Sequence, residues 1–223
     1  MSVGRLEVLR SAERPLDPDD ALAEAEHRFA NSLTIVAALI RTQARNLPQV
    51  DVMTTADVKT LLAGIGARIA AVGRLHRLLI GHGACTTVEL SAYLAEIATV
   101  VCEAFTDGGM VAMQTDLRAK PLVSIKDAEA IGLIVSEGLI NALKHATGAK
   151  LGIASRWGEC GTLVIEITDT GPGFPANCGA RLSGRKCSGI ALMRTLATEL
   201  NGELTFDQSA DGLCIRLIVP AAP

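Results

Sequence analysis

Aromatic side chains are scarce, 3% of 223 residues with one Trp and one Tyr, so any core must be filled by aliphatic residues. Apolar residues still make up 49% of the chain, which is enough to bury a sizeable interior. A basic surplus is also missing. Lys and Arg number 21 against 24 Asp and Glu, a formal net charge of -3, which leaves no basic surplus to neutralise a phosphate backbone, so nucleic acid is not expected as a main partner even if a local basic patch exists. Long hydrophobic runs are absent too: stretches such as Ile131 to Val135 fall far short of the roughly 20 residues that span a membrane. The opening Met1 to Arg10 places charges among its apolar residues and lacks the hydrophobic segment of an export signal. A cytoplasmic chain without a membrane span is the expectation. The six cysteines contain no CxxC pair, so the spacing of a zinc site is missing. In a reducing compartment they act as small hydrophobes.

The chain divides into a tail (1–17), a helical hairpin (18–83) and a mixed module (84–223). Asp17-Pro18-Asp19-Asp20 combines a cap, a first-turn proline and acidic residues suited to a helix start. From there Leu22, Phe29, Leu33, Val36 and Ile40 recur at helical spacing, predicting a helix to about Asn46, where Pro48 follows. Val58, Leu62, Ile65, Ile69, Val72 and Leu79 predict a second helix over Thr55 to Ile80, and the short stretch between them reverses the chain. Two such helices bury too little alone, so the expectation is a homodimer that completes a four-helix bundle. Beyond Gly81-His82-Gly83 the texture changes. Helices are predicted over 88–105, 126–146 and 189–200. Strands are predicted over 110–117, 150–157, 162–169, 203–207 and 213–219, with a Gly/Pro-rich loop over 170–188. The class is α+β.

On an ideal helix His27 lies about 160° from Phe29, away from the apolar stripe, while Asn31 falls within roughly 40° of it. Glu26, His27 and Asn31 thus share an exposed patch, which is either solvated surface or a site for phosphoryl chemistry. Neutral imidazole can attack phosphorus through its unprotonated nitrogen, Glu26 can steady the ring proton, and Asn31 can orient a water. His76 fits the apolar stripe of the second helix and reads as structural; His82, between glycines, reads as solvated loop.

In the segment 136–146, Glu137, Asn141, Lys144 and His145 stand at spacings of three and four and share a face. The Asn141 carbonyl suits Mg²⁺, which keeps phosphate oxygens and waters in its shell. Lys144 and His145 can meet phosphates. The following run Asp169-Thr170-Gly171-Pro172-Gly173-Phe174 is a good turn sequence. It also puts a strand-end carboxylate, Asp169, where it can accept from an exocyclic amine, beside glycines that admit a ligand.

This order of parts resembles the GHKL-type ATPase domain of sensor histidine kinases: an N-box over Glu137 to His145, a first glycine box at Asp169, Gly171 and Gly173, and a second at Ser188 and Gly189. The N-terminal module resembles the phosphoacceptor hairpin of the HRxxN branch, related to the HWE kinases, through His27-Arg28-Phe29-Ala30-Asn31. The resemblance implies a Bergerat-type α/β sandwich that binds ATP, Mg²⁺ on Asn141, and adenine on Asp169. It also implies transfer of the γ-phosphoryl group to His27 and on to an aspartate of a response regulator receiver domain. Two positions depart from the pattern: Ala191 stands where the family usually has glycine, and Ala30 where this branch usually has lysine. Arg181, Arg185 and Lys186 in the loop between the glycine boxes either meet phosphates or form a solvated basic run. The alternatives on the same scaffold are a phosphotransferase or regulator phosphatase with a degenerate ATP site, and a GHKL serine kinase. With no sensory module in the sequence, input is expected from an upstream sensor or partner.

Overall fold

A computed structural model describes residues 30, 34, 37, 40–41, 54–80, 87–105, 111–145, 150–173 and 188–220. The isolated N-terminal positions Ala30, Thr34, Ala37, Ile40 and Arg41 are helical, and the Thr34 hydroxyl donates to the Ala30 carbonyl four residues back, at 2.8 Å. Helix α1 spans Thr55–Ile80. Its start is closed reciprocally: Asp57 N–H donates to Thr54 Oγ1 (3.2 Å) and Thr54 N–H donates to Asp57 Oδ2 (3.0 Å), so each end supplies the partner the other lacks. The Thr54 hydroxyl, which donates to Asp57 Oδ2 at 2.6 Å, together with the Thr54 N–H holds the Asp57 carboxyl below its ordinary value.

The mixed module follows as β1 (Thr87–Glu89), α2 (Leu90–Phe105), β2 (Met113–Leu117), β3 (Leu122–Ser124), α3 (Ile125–His145), β4 (Leu151–Trp157), β5 (Thr162–Asp169), α4 (Ser188–Glu199), β6 (Glu203–Ser209) and β7 (Gly212–Pro220). A five-stranded sheet runs in the order β2-β4-β5-β7-β6. Its β2–β4 pair is parallel and the remaining pairs antiparallel. Period-two alternation directs Ile153, Leu163, Ile165, Ile167, Ile215, Leu217 and Val219 into one aliphatic core, as the poverty of aromatics requires. The other face carries a ladder of ion pairs, Arg156–Glu166–Arg216–Asp207, with N···O distances of 2.7–3.0 Å.

Helix α3 runs through the centre of this core, with every residue from Ala130 to Ile140 buried. It approaches β5 closely because Gly138 has no side chain: a Cβ there would lie 2.7 Å from Ile167 Cδ1. Helix α1 packs on both α2 and α3, and Ala67, fully buried, belongs to the same core as the sheet. Large aliphatic residues on α1, Val58, Leu62 and Ile69, remain exposed, Leu62 to 60%.

Two short strands were not legible beforehand. β1 and β3 pair antiparallel as a separate two-stranded sheet, so α2 begins at Leu90 rather than Val88. Among the described residues no helix is long and apolar enough to cross a membrane.

Candidate active site

Asp169 stands at the C-terminal end of β5 and is only 8% exposed. Its Oδ1 accepts from the Gly171 N–H at 2.8 Å, a tight turn in which the side chain replaces a backbone acceptor. Thr170 is anchored to Lys150, the residue just before β4, by two bonds: its N–H donates to the Lys150 carbonyl (3.1 Å) and its Oγ1 accepts from the Lys150 N–H (2.9 Å). Gly173 adopts φ +65°, a conformation costly for residues with a Cβ. The turn reading and the ligand reading of this segment are therefore compatible: the turn orients the carboxylate.

Helix α3 contributes Glu137, buried to 1% exposure, and Asn141 and Lys144, both half-buried. The first turn of α4 comes directly against them. A Cβ on Gly189 would lie 2.7 Å from Glu137 Oε2 and 3.7 Å from Asn141 Nδ2, so glycine is what lets the α4 backbone approach these polar groups. The N-terminus of α4, whose first N–H groups have no partner within the helix itself and which carries the positive dipole end, lies at the face that bears Glu137 and Asn141. Two residues before Asp169, Ile167 meets α3 at Gly138, which joins the carboxylate strand to the Asn-bearing helix.

Glu137, Asn141 and Gly189, far apart in sequence, are thus brought together, and Asp169, Gly171 and Gly173 form one braced turn. Glu26, His27, Arg28 and Asn31 lie outside the described residues, as do the side chains of His76, His145 and Ser188, the residue His82, and the basic residues Arg181, Arg185 and Lys186. Among the described residues no group of three or more His, Cys, Asp or Glu gathers as a metal cage. The donor set of Glu137 and Asn141 suits Mg²⁺ brought in with phosphates, which needs only one or two protein oxygens. Sequence reasoning missed Gly138, Gln208 and Gly212. The last stands where a Cβ would overlap the Asp169 carbonyl oxygen; its only sequence signal is the Ala210-Asp211-Gly212 turn between two strand-like runs.

Residues 24–105 match the family described as Histidine kinase, and residues 126–223 match the Histidine kinase-, DNA gyrase B-, and HSP90-like ATPase family. Blue-light-activated histidine kinase 2 of Erythrobacter litoralis is 27% identical over 94% of this chain and 60% of that protein. Sensor histidine kinase PdtaS of Mycolicibacterium smegmatis is 27% identical over 96% of this chain and 42% of its own length. The chain therefore spans only part of these relatives. Among solved structures, the histidine kinase domain of the Erythrobacter litoralis EL346 blue-light activated histidine kinase superimposes with a TM-score of 0.65. It is 26% identical, and 92% of each chain is covered.

Proposed function

We propose that this chain, which is a histidine kinase module joined to an ATPase domain of the histidine kinase, DNA gyrase B and HSP90 class, phosphorylates its own His27 from ATP. The phosphoryl group then passes to an aspartate of a response regulator receiver domain. The observation that carries the reading is the contact of the α4 N-terminus with Glu137 and Asn141 through Gly189. It sets a helix N-terminus, the kind of helix end that takes phosphates, against a carboxylate and an amide side chain.

Asp169 Oδ1 is engaged by the turn, so the exocyclic amine of adenine falls to Oδ2. Asn141 would hold Mg²⁺ brought in with the nucleotide, and the metal would supply charge neutralisation there. Lys144 and His145 add cationic or hydrogen-bonding contacts, and Gly171, Gly173, Ser188 and Gly189 keep the backbone close to the ligand. The unprotonated ring nitrogen of His27 attacks the γ-phosphorus in line, an N–P bond forms, and the bond to the bridging oxygen breaks with its electron pair leaving on ADP. Glu26 takes or steadies the ring proton, and Arg28 and Asn31 flank the phosphorylated imidazole. In the second step the regulator carboxylate attacks the same phosphorus and the imidazole leaves.

The division into a tail (1–17), a phosphotransfer hairpin (18–83) and a catalytic domain (84–223) belongs to this reading. So do a homodimer, to which the exposed Val58, Leu62 and Ile69 of α1 lend support, a cytoplasmic location and an upstream sensor. Radiolabelled ATP tests it. Wild type should take up acid-labile, base-stable label that His27→Ala and Asp169→Asn both lose. Acid-stable label would identify the serine kinase instead, and acceptance of phosphoryl groups only from a phosphorylated regulator would identify the phosphotransferase.

A further inference from the structure

The turn that presents Asp169 does not stand alone; the turn end of the β6–β7 hairpin lies against it at two points. Strands β6 and β7 close through Ala210 and Asp211, with Ser209 paired to Gly212, and Asp169 pairs with Leu213 across the β5–β7 ladder. Gly212 has φ +135°, and a Cβ there would overlap the Asp169 carbonyl oxygen and come within 2.9 Å of Thr170 Cα. On the other side, the Gln208 side chain lies over Gly173, where a Cβ would meet Gln208 Cδ at 2.7 Å and Nε2 at 2.8 Å. Gln208 Nε2 also donates a long hydrogen bond of 3.4 Å to the Pro172 carbonyl. Gly212 thus seats the start of the Asp169–Gly173 turn, and Gln208 covers its end.

We infer that Gln208 and Gly212 are positioning residues for base recognition: the hairpin end sets the height and tilt of the Asp169 carboxylate and thereby the preference for adenine. This inference rests on the proposed ATP reading. The carboxylate accepts only from a donor, which adenine offers at its exocyclic amine and guanine replaces with a carbonyl. Moving the carboxylate therefore changes discrimination between bases, whereas a general loosening of the domain weakens every ligand alike.

The test measures equilibrium binding of the full chain to Mg-ATP, Mg-GTP and Mg-tripolyphosphate, in wild type, Gln208→Ala, Gly212→Ala and Asp169→Asn, together with melting temperatures. Gln208→Ala should lower the ATP-over-GTP preference roughly three- to ten-fold, the range of one hydrogen bond and its packing. Tripolyphosphate affinity should stay unchanged. Gly212→Ala should lower the preference further, toward that of Asp169→Asn. If Gly212→Ala does not fold, Gln208→Ala alone decides. The inference is overturned if wild type prefers ATP, Asp169→Asn loses that preference, and Gln208→Ala keeps it. Equal weakening of all three ligands alongside a drop in melting temperature overturns it as well, since that is the mark of a structural role. A wild type indifferent to ATP overturns the nucleotide reading and takes this inference with it.

Discussion

Glu166 receives two arginines on the solvent face of the sheet: Arg216 Nε at 2.7 Å and Arg156 Nη2 at 3.0 Å meet the same carboxylate oxygen. Partial burial works to raise its pKa, but the Arg216 hydrogen bond and the charges of Arg156 and Arg216 outweigh it and hold the carboxyl below its ordinary value. A carboxylate depressed in the folded state stabilises above its unfolded pKa and loses that contribution as pH falls through the folded one. Glu166→Gln should therefore destabilise by about 1 kcal/mol near neutral pH, a modest figure because the arginines are partly solvated. Urea melts should show the difference shrinking as pH drops below the ordinary value of 4.5. The same ladder shows how composition misleads at single positions: Cys214 lies across from Asp207 and Thr168 on this polar face. Burial, with Glu166 and Asp207 nearby, pushes its thiol pKa up. It is shielded from ionisation but is only partly a small hydrophobe.

Helix starts are fixed by local chemistry, whether or not the sequence reading finds the cap. Ser124 precedes α3, and its Oγ accepts from the Asp127 N–H at 3.1 Å while donating to Asp127 Oδ2 at 2.8 Å. Removing that hydroxyl in Ser124→Ala should cost about 1 kcal/mol, which for a chain of this size lowers the melting temperature by roughly 2–4 °C. Thermal denaturation by circular dichroism would detect it. At the other extreme are β1 and β3, three residues each, too short for any period to register. Their pairing exists because Leu90 N–H bonds to the Pro121 carbonyl and fixes the start of α2 against the strand that precedes α3. The alternating runs that became β4, β5 and β7 were readable in advance, whereas the parallel partnership of β2 with β4 was not, since alternation says nothing of strand direction.

At the scale of the whole molecule, α1 is shared property: Ala67 is buried in the core that also holds the sheet, while next to it Gly66 has nothing within 4 Å of a would-be Cβ. The two neighbours should respond oppositely to enlargement. Gly66→Ala should raise stability by up to about 1 kcal/mol through helix propensity, and Ala67→Leu should lower it by about 1–3 kcal/mol by overpacking. Chemical denaturation of both variants checks the docking of α1. Equal responses would mean that the helix is not seated on α2 and α3.

The sequence by itself determined the helices with strong aliphatic periodicity, the aliphatic nature of the core, and the helix and strand that carry Glu137, Asn141 and Asp169, because periods and turn residues act over a few positions. It could not determine which distant segments meet. That Gly189 abuts Glu137, that Gly138 admits Ile167, that Ala67 lies within the core of the sheet module, and that Gln208 and Gly212 brace the Asp169 turn were decided only by tertiary packing. Close approach is a property of two surfaces, and each glycine in the sequence looks the same until its neighbour is known.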